Sequence, residues 1–223
     1  MKLQRLFYWV NSISDVELWC NTCKTCLSRK LPQIRAKASM KQYQVGCPLE
    51  RVGIDILRPL PVSNNDNRFI LGVIDYFTKW IELYPMPNML ASTCTDVFIT
   101  EFISRFGVPR HIVTDQGRQF ESHLFQELCN RFDIDMTRCS PFQTNGLCER
   151  IFKTLADMLA KIVKTNQRDW DTHIPFLLLA YRSSVQESTG YSPSRMLLYH
   201  EPILPPNLVF GACILAEYYE SPS

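Results

Sequence analysis

Several features that would assign the chain to a specialised class are missing from its sequence. No run reaches the roughly 18 apolar residues that a membrane-spanning helix needs, and the N-terminal stretch lacks the apolar core and cleavage site of a signal peptide. Internal repeats are also missing. The nine cysteines do not follow a small-domain disulfide spacing, which favours free thiols in a reducing compartment. We therefore predict an intracellular protein without membrane association.

Charge is distributed unevenly along the 223 residues. Residues 1–45 contain eight Lys and Arg side chains against two acids, whereas the remainder contains 16 basic and 20 acidic side chains. A basic arm on a slightly acidic body can hold a polyanion by counterion release. A solvated linker rich in lysine would have the same composition, so charge alone does not choose between these two interpretations.

Composition and periodicity divide the chain into four parts. We predict a small helical segment, a basic linker, a globular domain and a proline-containing tail, which span residues 1–30, 31–48, 49–205 and 206–223. In the first part, Ser14 is a plausible N-cap of the helix. In the globular part, alternating and helical periodicities follow one another in the order βββαβαβαα. That order predicts a mixed α/β sheet with helices packed on its faces.

Three carboxylates lie where this pattern can bring them together. Asp55 interrupts an apolar strand, Asp115 ends a β-branched run, and Glu149 falls in the first turn of a predicted helix. A charge inside an apolar strand costs on the order of several kcal/mol unless it is paired or binds a metal. Hard oxygen ligands suit Mg²⁺ or Mn²⁺, and two such ions can clamp the attacking and leaving oxygens of a phosphoryl transfer. The pattern therefore predicts a divalent-cation site.

The helix that carries Glu149 has a predicted apolar stripe made of Leu147, Ile151, Leu155, Met158, Leu159 and Ile162. Glu149 is predicted to point away from that stripe, and Lys153 stands one turn further on the same side. In that position Lys153 could meet a phosphate. An ordinary exposed Glu–Lys pair is the alternative interpretation of these two residues.

Longer stretches of the sequence resemble the integrases of gypsy-class long-terminal-repeat retrotransposons, which are related to retroviral integrases. The matching stretches recur in order over roughly residues 5 to 205, and they are ERVGIDILRPLP, NRFILGVIDYFTKWIELYPMPN, EFISRFGVPRHIVTDQGRQFESHLFQELC, QTNGLCERIFKTL and DWDTHIPFLLLAYRSSVQESTGYSPSRMLL. The resemblance implies an RNase-H-like catalytic core with a mixed five-stranded sheet flanked by helices.

The same resemblance implies a function and a set of residues. Asp55, Asp115 and Glu149 would bind two Mg²⁺ or Mn²⁺ ions, which serve the attacking and the departing oxygen. Gln143 and Asn145 match loop positions that approach DNA, and Lys153 matches a basic position that contacts DNA. The implied activity is DNA integration, in which a homo-oligomer in the nucleus trims the 3′ ends of element DNA and joins them to target DNA.

The chain departs from the family pattern in its N-terminal part. There the family binds zinc through a His pair followed by C-x-x-C, and Cys23 and Cys26 have the spacing of the cysteine pair. No histidine precedes His111, and one cysteine pair does not close a tetrahedral zinc site even if Cys20 joins it. We therefore expect the chain to begin inside this domain, after the histidines, with only a partial zinc site.

A second departure lies in the loop before Glu149. The family usually reads close to S-P-Y-H-P-Q-T-N-G there, whereas residues 140–146 read SPFQTNG and lack the His-Pro pair. Asp115 and Glu149 are separated by 33 residues, two fewer than is typical of the family. Three interpretations remain open: an active integrase core, a weakened or inactive integrase-derived module that binds nucleic acid or protein, and a nuclease of the same fold.

Overall fold

The computed structural model of this protein describes residues 7–23, 46–57, 59–138, 146–163 and 167–204, with the backbone alone described at residues 146–149 and 162. The chain divides into two compact units. One comprises Met1–Met40 with His200–Ser223, and the other comprises Lys41–Tyr199. Most of the predicted linker and the whole predicted tail lie outside the described residues, so those domain boundaries stay predictions.

In the first unit, the described residues form one helix, α1, at Ser12–Thr22. Asn11 precedes it in the left-handed conformation, with φ at 65°, and Ser14 lies inside the first turn. The prediction of Ser14 as the N-cap was therefore wrong. The helix buries none of its residues, and the side chains of Leu18 and Trp19 are 65% and 75% exposed.

The second unit is built on a five-stranded mixed sheet. Its strands in chain order are β1 (Arg51–Leu57), β2 (Phe69–Asp75), β3 (Ile81–Met86), β4 (His111–Thr114) and β5 (Asp135–Arg138). Across the sheet they follow the order β3-β2-β1-β4-β5. The pairs β3–β2 and β2–β1 are antiparallel, whereas β1–β4 and β4–β5 are parallel. The predicted five-stranded mixed sheet is thereby confirmed.

Helices accompany this sheet; the first four lie where periodicity predicted helices, and the last one was not predicted. In chain order they are α2 (Ala91–Val97), α3 (His123–Arg131), α4 (Gly146–Ile162), α5 (Ile174–Arg182) and α6 (Pro193–Leu198). The first of these continues through a π-helical segment, Phe98–Ile103, and a last turn, Ser104–Phe106. A 3-10 turn, Trp170–His173, leads into α5. None of the helices in the described ranges is both long and apolar enough to cross a bilayer.

The two faces of the sheet have separate hydrophobic cores. The α2 face is covered by α2 and α3, and its core contains Val52, Ile54 and Ile56 of β1. The α4 face is covered by α4 and α5, and its core contains Ile70 and Ile74 of β2. Successive residues of a strand point to opposite faces. Asp55, which lies between two residues of the α2 face, therefore belongs to the α4 face.

Two sets of polar contacts join the 3-10 turn and α5, on the α4 face, to the rest of the unit. In the first, Asp171 of the 3-10 turn accepts hydrogen bonds from Ser63 Oγ at 2.6 Å, Asn65 Nδ2 at 3.1 Å and Asn67 Nδ2 at 2.9 Å. Burial by itself would raise the pKa of Asp171, but these side-chain hydrogen bonds outweigh it and lower the pKa. The carboxylate thereby holds the loop between β1 and β2.

The second contact joins α5 to the edge strand β3. Arg182 donates to the carbonyl oxygen of Ile81 through Nε at 3.0 Å and Nη2 at 2.6 Å. Its Nη2 also lies 2.6 Å from Glu82 Oε1, and its guanidinium carbon stands 4.1 Å from the ring centroid of Trp80. A planar guanidinium suits this combination of carbonyl, carboxylate and aromatic partners.

Candidate catalytic carboxylate site

The register of the two central strands brings Asp55 and Asp115 side by side. In the parallel pairing of β1 with β4, Gly53 lies opposite Val113 and Ile54 lies opposite Thr114. Asp55 and Asp115 are the next residues along the two chains. Neighbouring strands lie about 4.8 Å apart, and alternation directs both side chains to the α4 face. The sheet therefore places two carboxylates next to each other at one edge of a hydrophobic layer.

Each of these carboxylates is oriented by a backbone amide that follows it. Asp55 Oδ1 accepts a hydrogen bond from the N–H of Ile56 at 2.8 Å, and Asp115 Oδ1 accepts one from the N–H of Gly117 at 2.9 Å. Both aspartates are half-buried. The turn after β4 leaves no room for a side chain, because a Cβ on Gly117 would lie 2.8 Å from Asp115 Oδ1 and 2.3 Å from Gln119 Nε2.

The helix that carries Glu149 lies over this part of the sheet. Helix α4 contacts β1, and its Phe152 is buried at 4% exposure in the core of the α4 face. The ring of Phe152 lies directly over Gly72, which is the residue of β2 that pairs with Asp55. Position 149 is three residues before Phe152 and hence about one helical turn away. The Glu149 side chain lies outside the described part of the structure.

The other predicted site residues are placed as follows. Lys153 is exposed on α4, one turn beyond position 149. Cys23 is the C-cap of α1 and is partly exposed. Gln143, Asn145 and Cys26 lie outside the described residues. The predicted DNA contacts and the partial zinc pair therefore stay predictions.

The donor set at Asp55 and Asp115 fits a divalent ion of the hard class. Carboxylate oxygens are the ligands that Mg²⁺ and Mn²⁺ prefer, and the two aspartates share one sheet edge and one face. Among the side chains that the structure describes, no three His, Cys, Asp or Glu residues converge. A third carboxylate would have to come from α4, where position 149 stands one turn from Phe152. The arrangement can hold a cation between a rigid sheet and a helix.

Two polar residues at the opposite ends of these strands have structural partners. Asp75 is buried and accepts hydrogen bonds from the N–H and Oγ1 of Thr78, at 2.9 and 2.6 Å, so it organises the turn between β2 and β3. His111 begins β4, and its Nδ1 lies 3.4 Å from Asp135 Oδ2 of β5. The geometry of both residues is that of fold-stabilising contacts.

Sequence reasoning assigned no role at the site to Gly72, Phe152 and Gln119, and it identified Gly117 only as part of a turn. A glycine in the middle of an apolar strand often marks a close approach, and that signal could have identified Gly72. Gln119 is 6% exposed, and its Nε2 is buried without a hydrogen-bond partner within the described ranges. This atom lies beside Gly117, in the turn that follows Asp115.

The order and directions of the five strands agree with the RNase-H-like fold that the resemblance implies. Residues 46–144 match the sequence profile of the integrase core domain. The match confirms the resemblance to gypsy-class retrotransposon integrases and their retroviral relatives. Gypsy retrotransposon integrase-like protein 1 of Bos taurus is 28% identical over 202 residues, a span of 89% of this chain and 40% of that protein.

Solved structures agree with the fold. The HTLV-2 integrase catalytic core domain in complex with magnesium superposes with a TM-score of 0.57 at 20% identity, over 69% of this chain and 99% of that one. A chain of the simian T-cell lymphotropic virus intasome, in complex with the PP2A regulatory subunit B56 gamma, gives 0.59 at 19% identity, over 87% and 69% of the two chains. This chain spans less than half the length of the curated relatives that it matches.

Proposed function

We propose that this chain is the catalytic core of a gypsy-class integrase that processes the 3′ ends of element DNA and transfers them to target DNA. The observation that carries the proposal is the placement of Asp55 and Asp115 at adjacent positions of two parallel strands, under the helix of Glu149. Two ionised carboxylates at adjacent positions of neighbouring strands would repel each other. A cation held by both of them removes that repulsion.

In the reaction, a hydroxyl oxygen attacks the phosphorus of a phosphodiester in line with the oxygen that departs. One phosphorus–oxygen bond forms as another breaks; the attacking hydroxyl gives its proton to solvent, and the departing oxygen takes up a proton from solvent. Mg²⁺ or Mn²⁺ bound by Asp55, Asp115 and Glu149 would supply Lewis-acid activation of these oxygens. Phosphoryl transfer needs positioning and charge more than covalent catalysis, so none of the cysteines has to act as a nucleophile.

The residues of the chain supply that positioning. The N–H groups of Ile56 and Gly117 hold one oxygen of each aspartate in place. Lys153 is exposed one turn beyond Glu149 on α4 and would neutralise a phosphate of the DNA backbone.

The proposal extends to partners and location. Gln143 and Asn145 would approach the DNA from the loop before α4. Integration joins two DNA ends, so we propose a homo-oligomer that acts in the nucleus. The protein related to this chain in the simian viral complex is part of an intasome, which supports an assembly of several subunits. Zinc is assigned no part in the reaction, since Cys23 and Cys26 supply only two ligands.

The test is a joining assay with the full chain, a short labelled duplex that has element-like ends, and Mg²⁺ or Mn²⁺. We expect joined products from the unmutated chain and none from Asp55→Asn, Asp115→Asn or Glu149→Gln. The matched control is Asp96→Asn, because Asp96 is an exposed acid on α2, which covers the opposite face of the sheet. Joining that survives any of the three site variants would overturn the assignment of that ligand.

A second candidate function rests on the short loop before Glu149. SPFQTNG lacks the His-Pro pair of the family, and a displaced Glu149 would leave a DNA- or protein-binding module without catalysis. The same assay separates the two functions. If the unmutated chain binds the duplex but joins nothing, and if insertion of His-Pro after Phe142 restores joining, the chain is the inactive module.

A further inference from the structure

Gly72 occupies a position where a strand would ordinarily carry a side chain. It lies in the middle of β2, and its neighbours Leu71 and Val73 are buried. Glycine in a strand interior is destabilising by about 0.5–1 kcal/mol relative to alanine. A Cβ built on Gly72 would lie 2.1 Å from Cε1 and 2.7 Å from Cζ of Phe152. Space for the Phe152 ring, rather than backbone conformation, therefore explains the glycine.

This contact lies beside the carboxylate site. In the antiparallel register Gly72 is the partner of Asp55, so both positions face α4. Phe152 and Glu149 are three residues apart on α4, which is about 4.5 Å along the helix axis and close to one turn. The distance between the helix axis and the sheet at Gly72 therefore sets the height of the Glu149 turn above Asp55.

The remainder of α4 is held by different partners. Leu155 and Leu159 are buried at 1% and 4% exposure, and they belong to the core that Trp170, Leu177 and Leu178 complete. Among the described side chains of α4, Phe152 is the buried one nearest to position 149. Leu159, about two turns further along, anchors the other end of the helix.

We propose that Phe152, seated on Gly72, is the positioning contact that sets the height of the Glu149 turn over Asp55 and thereby completes the cation site. The inference rests on the proposed function in that Glu149 is taken as a ligand. Phe152 touches no substrate or reacting atom, and it acts through the helix. Residues that orient metal ligands typically contribute about 10- to 100-fold to metal affinity or activity.

The experiment compares Gly72→Ala, Phe152→Leu and the double variant in the full chain. The first readout is the Mn²⁺ concentration that gives half of the metal-dependent rise in Tm, since an ion that binds only the folded state stabilises it. We expect Gly72→Ala to raise that concentration about tenfold or more. The double variant should return it close to the unmutated value, because leucine lacks the ring atoms Cε1 and Cζ that the new methyl would meet.

Leu159→Ala is the matched control, since it removes a buried side chain from the other end of the same helix. We expect it to lower the metal-free Tm and to leave the Mn²⁺ titration unchanged. A Gly72→Ala titration that equals that of the unmutated chain would overturn the proposal. So would an equal shift in Leu159→Ala, because the contact would then contribute only to general packing.

Amide hydrogen exchange along α4 keeps this inference separate from the proposed function. We expect Gly72→Ala to speed exchange at residues 147–152 more than at residues 155–161, and the double variant to reverse the change. If the unmutated chain shows no Mn²⁺ response, the proposed function fails, yet this exchange pattern would still establish the positioning contact. Unchanged exchange in Gly72→Ala would overturn the inference whether or not the chain joins DNA.

Discussion

On the α2 face, β1 presents Val52, Ile54 and Ile56 to a continuous apolar core, whereas on the α4 face the same strand presents Gly53 and Asp55. The α2 face is filled by phenylalanines from α3 and from the segments that follow α2 and precede α3. The α4 face combines an apolar region under Leu155 and Leu159 with a carboxylate pair at the strand ends. One strand therefore supports an apolar core on one side and carries a carboxylate on the other.

The difference shows how a rigid site is obtained from a sheet. Close packing on the α2 face fixes the backbone of β1 and β4, because interiors at native density allow little displacement. Asp55 and Asp115 then need only short local hydrogen bonds to be oriented. Substitutions on the two faces should accordingly affect different quantities, namely stability on the α2 face and joining on the α4 face.

The largest expected effect is a loss of stability on the α2 face. Phe98 is completely buried and stacks on Phe102 with ring centroids 5.3 Å apart. Phe98→Ala should lower the free energy of unfolding by about 3–5 kcal/mol, measured by urea denaturation of the full chain. Phe176→Ala, at a side chain that is 67% exposed, should change it by less than about 0.5 kcal/mol. Equal losses in the two variants would contradict the description of the α2 face as the structural core.

The next effect reverses that pattern on the α4 face. Asp115→Asn should reduce joining more than about 100-fold, since it removes a ligand rather than a residue that orients one. The amide oxygen of asparagine can still accept the N–H of Gly117. The metal-free free energy of unfolding should therefore stay within about 0.5 kcal/mol of the unmutated value. A large metal-free destabilisation would show that this carboxylate is a structural group.

A smaller effect is expected at the turn after β4. In Gly117→Ala the new methyl would lie 2.8 Å from Asp115 Oδ1, and it would also crowd the far end of the Gln119 side chain. The turn must open slightly, so joining should fall about tenfold, whereas the free energy of unfolding should change by about 1 kcal/mol or less. Single-turnover joining and urea denaturation measure the two quantities. Unchanged joining would show that the position of Asp115 tolerates displacement.

The smallest effect concerns pH and the loop held by Asp171. The folded-state pKa of this carboxyl is lowered. Its contribution to the free energy of unfolding is therefore fully present above the unfolded pKa of about 3.9, and it is lost as the pH falls through the lower folded-state pKa. In urea denaturation between about pH 5 and pH 2, Asp171→Asn should show a shallower loss of stability than the unmutated chain. Asp66→Asn, at an exposed acid of the same loop, should keep the original slope.

Much of the fold could be predicted because its periodicities are local. Helical periodicity indicated the helix that begins with α2, and the β-branched run before Asp115 indicated β4. The π-helical segment Phe98–Ile103 could not be predicted, because the four-residue spacing of Phe98, Phe102 and Phe106 also fits an ordinary α-helix. Ser14 was assigned as a cap from residue type alone, whereas the helix begins two residues earlier.

At the site, the sequence indicated Asp55 and Asp115 as candidates, but their side-by-side position depends on the register of β1 with β4. Phe152 was left out of the predicted stripe of α4, although it lies three residues before Leu155 and is buried with it. Phe152 can be buried there only because residue 72 is a glycine without a side chain, and Gly72 is 80 residues away in the chain. Such a match between a glycine and a ring is a long-range property that helical periodicity does not encode.

The contact of Arg182 with Ile81 bears on how copies of the chain can associate. Strand β3 is one edge of the sheet, and edge strands with free carbonyls attract further strands. Here the carbonyl of Ile81 already receives two bonds from the guanidinium. A strand that added at this position would have to displace a buried cation from Glu82, at a cost of several kcal/mol. Addition of a strand at this position of β3 is therefore disfavoured, and copies of the chain should not extend the sheet there.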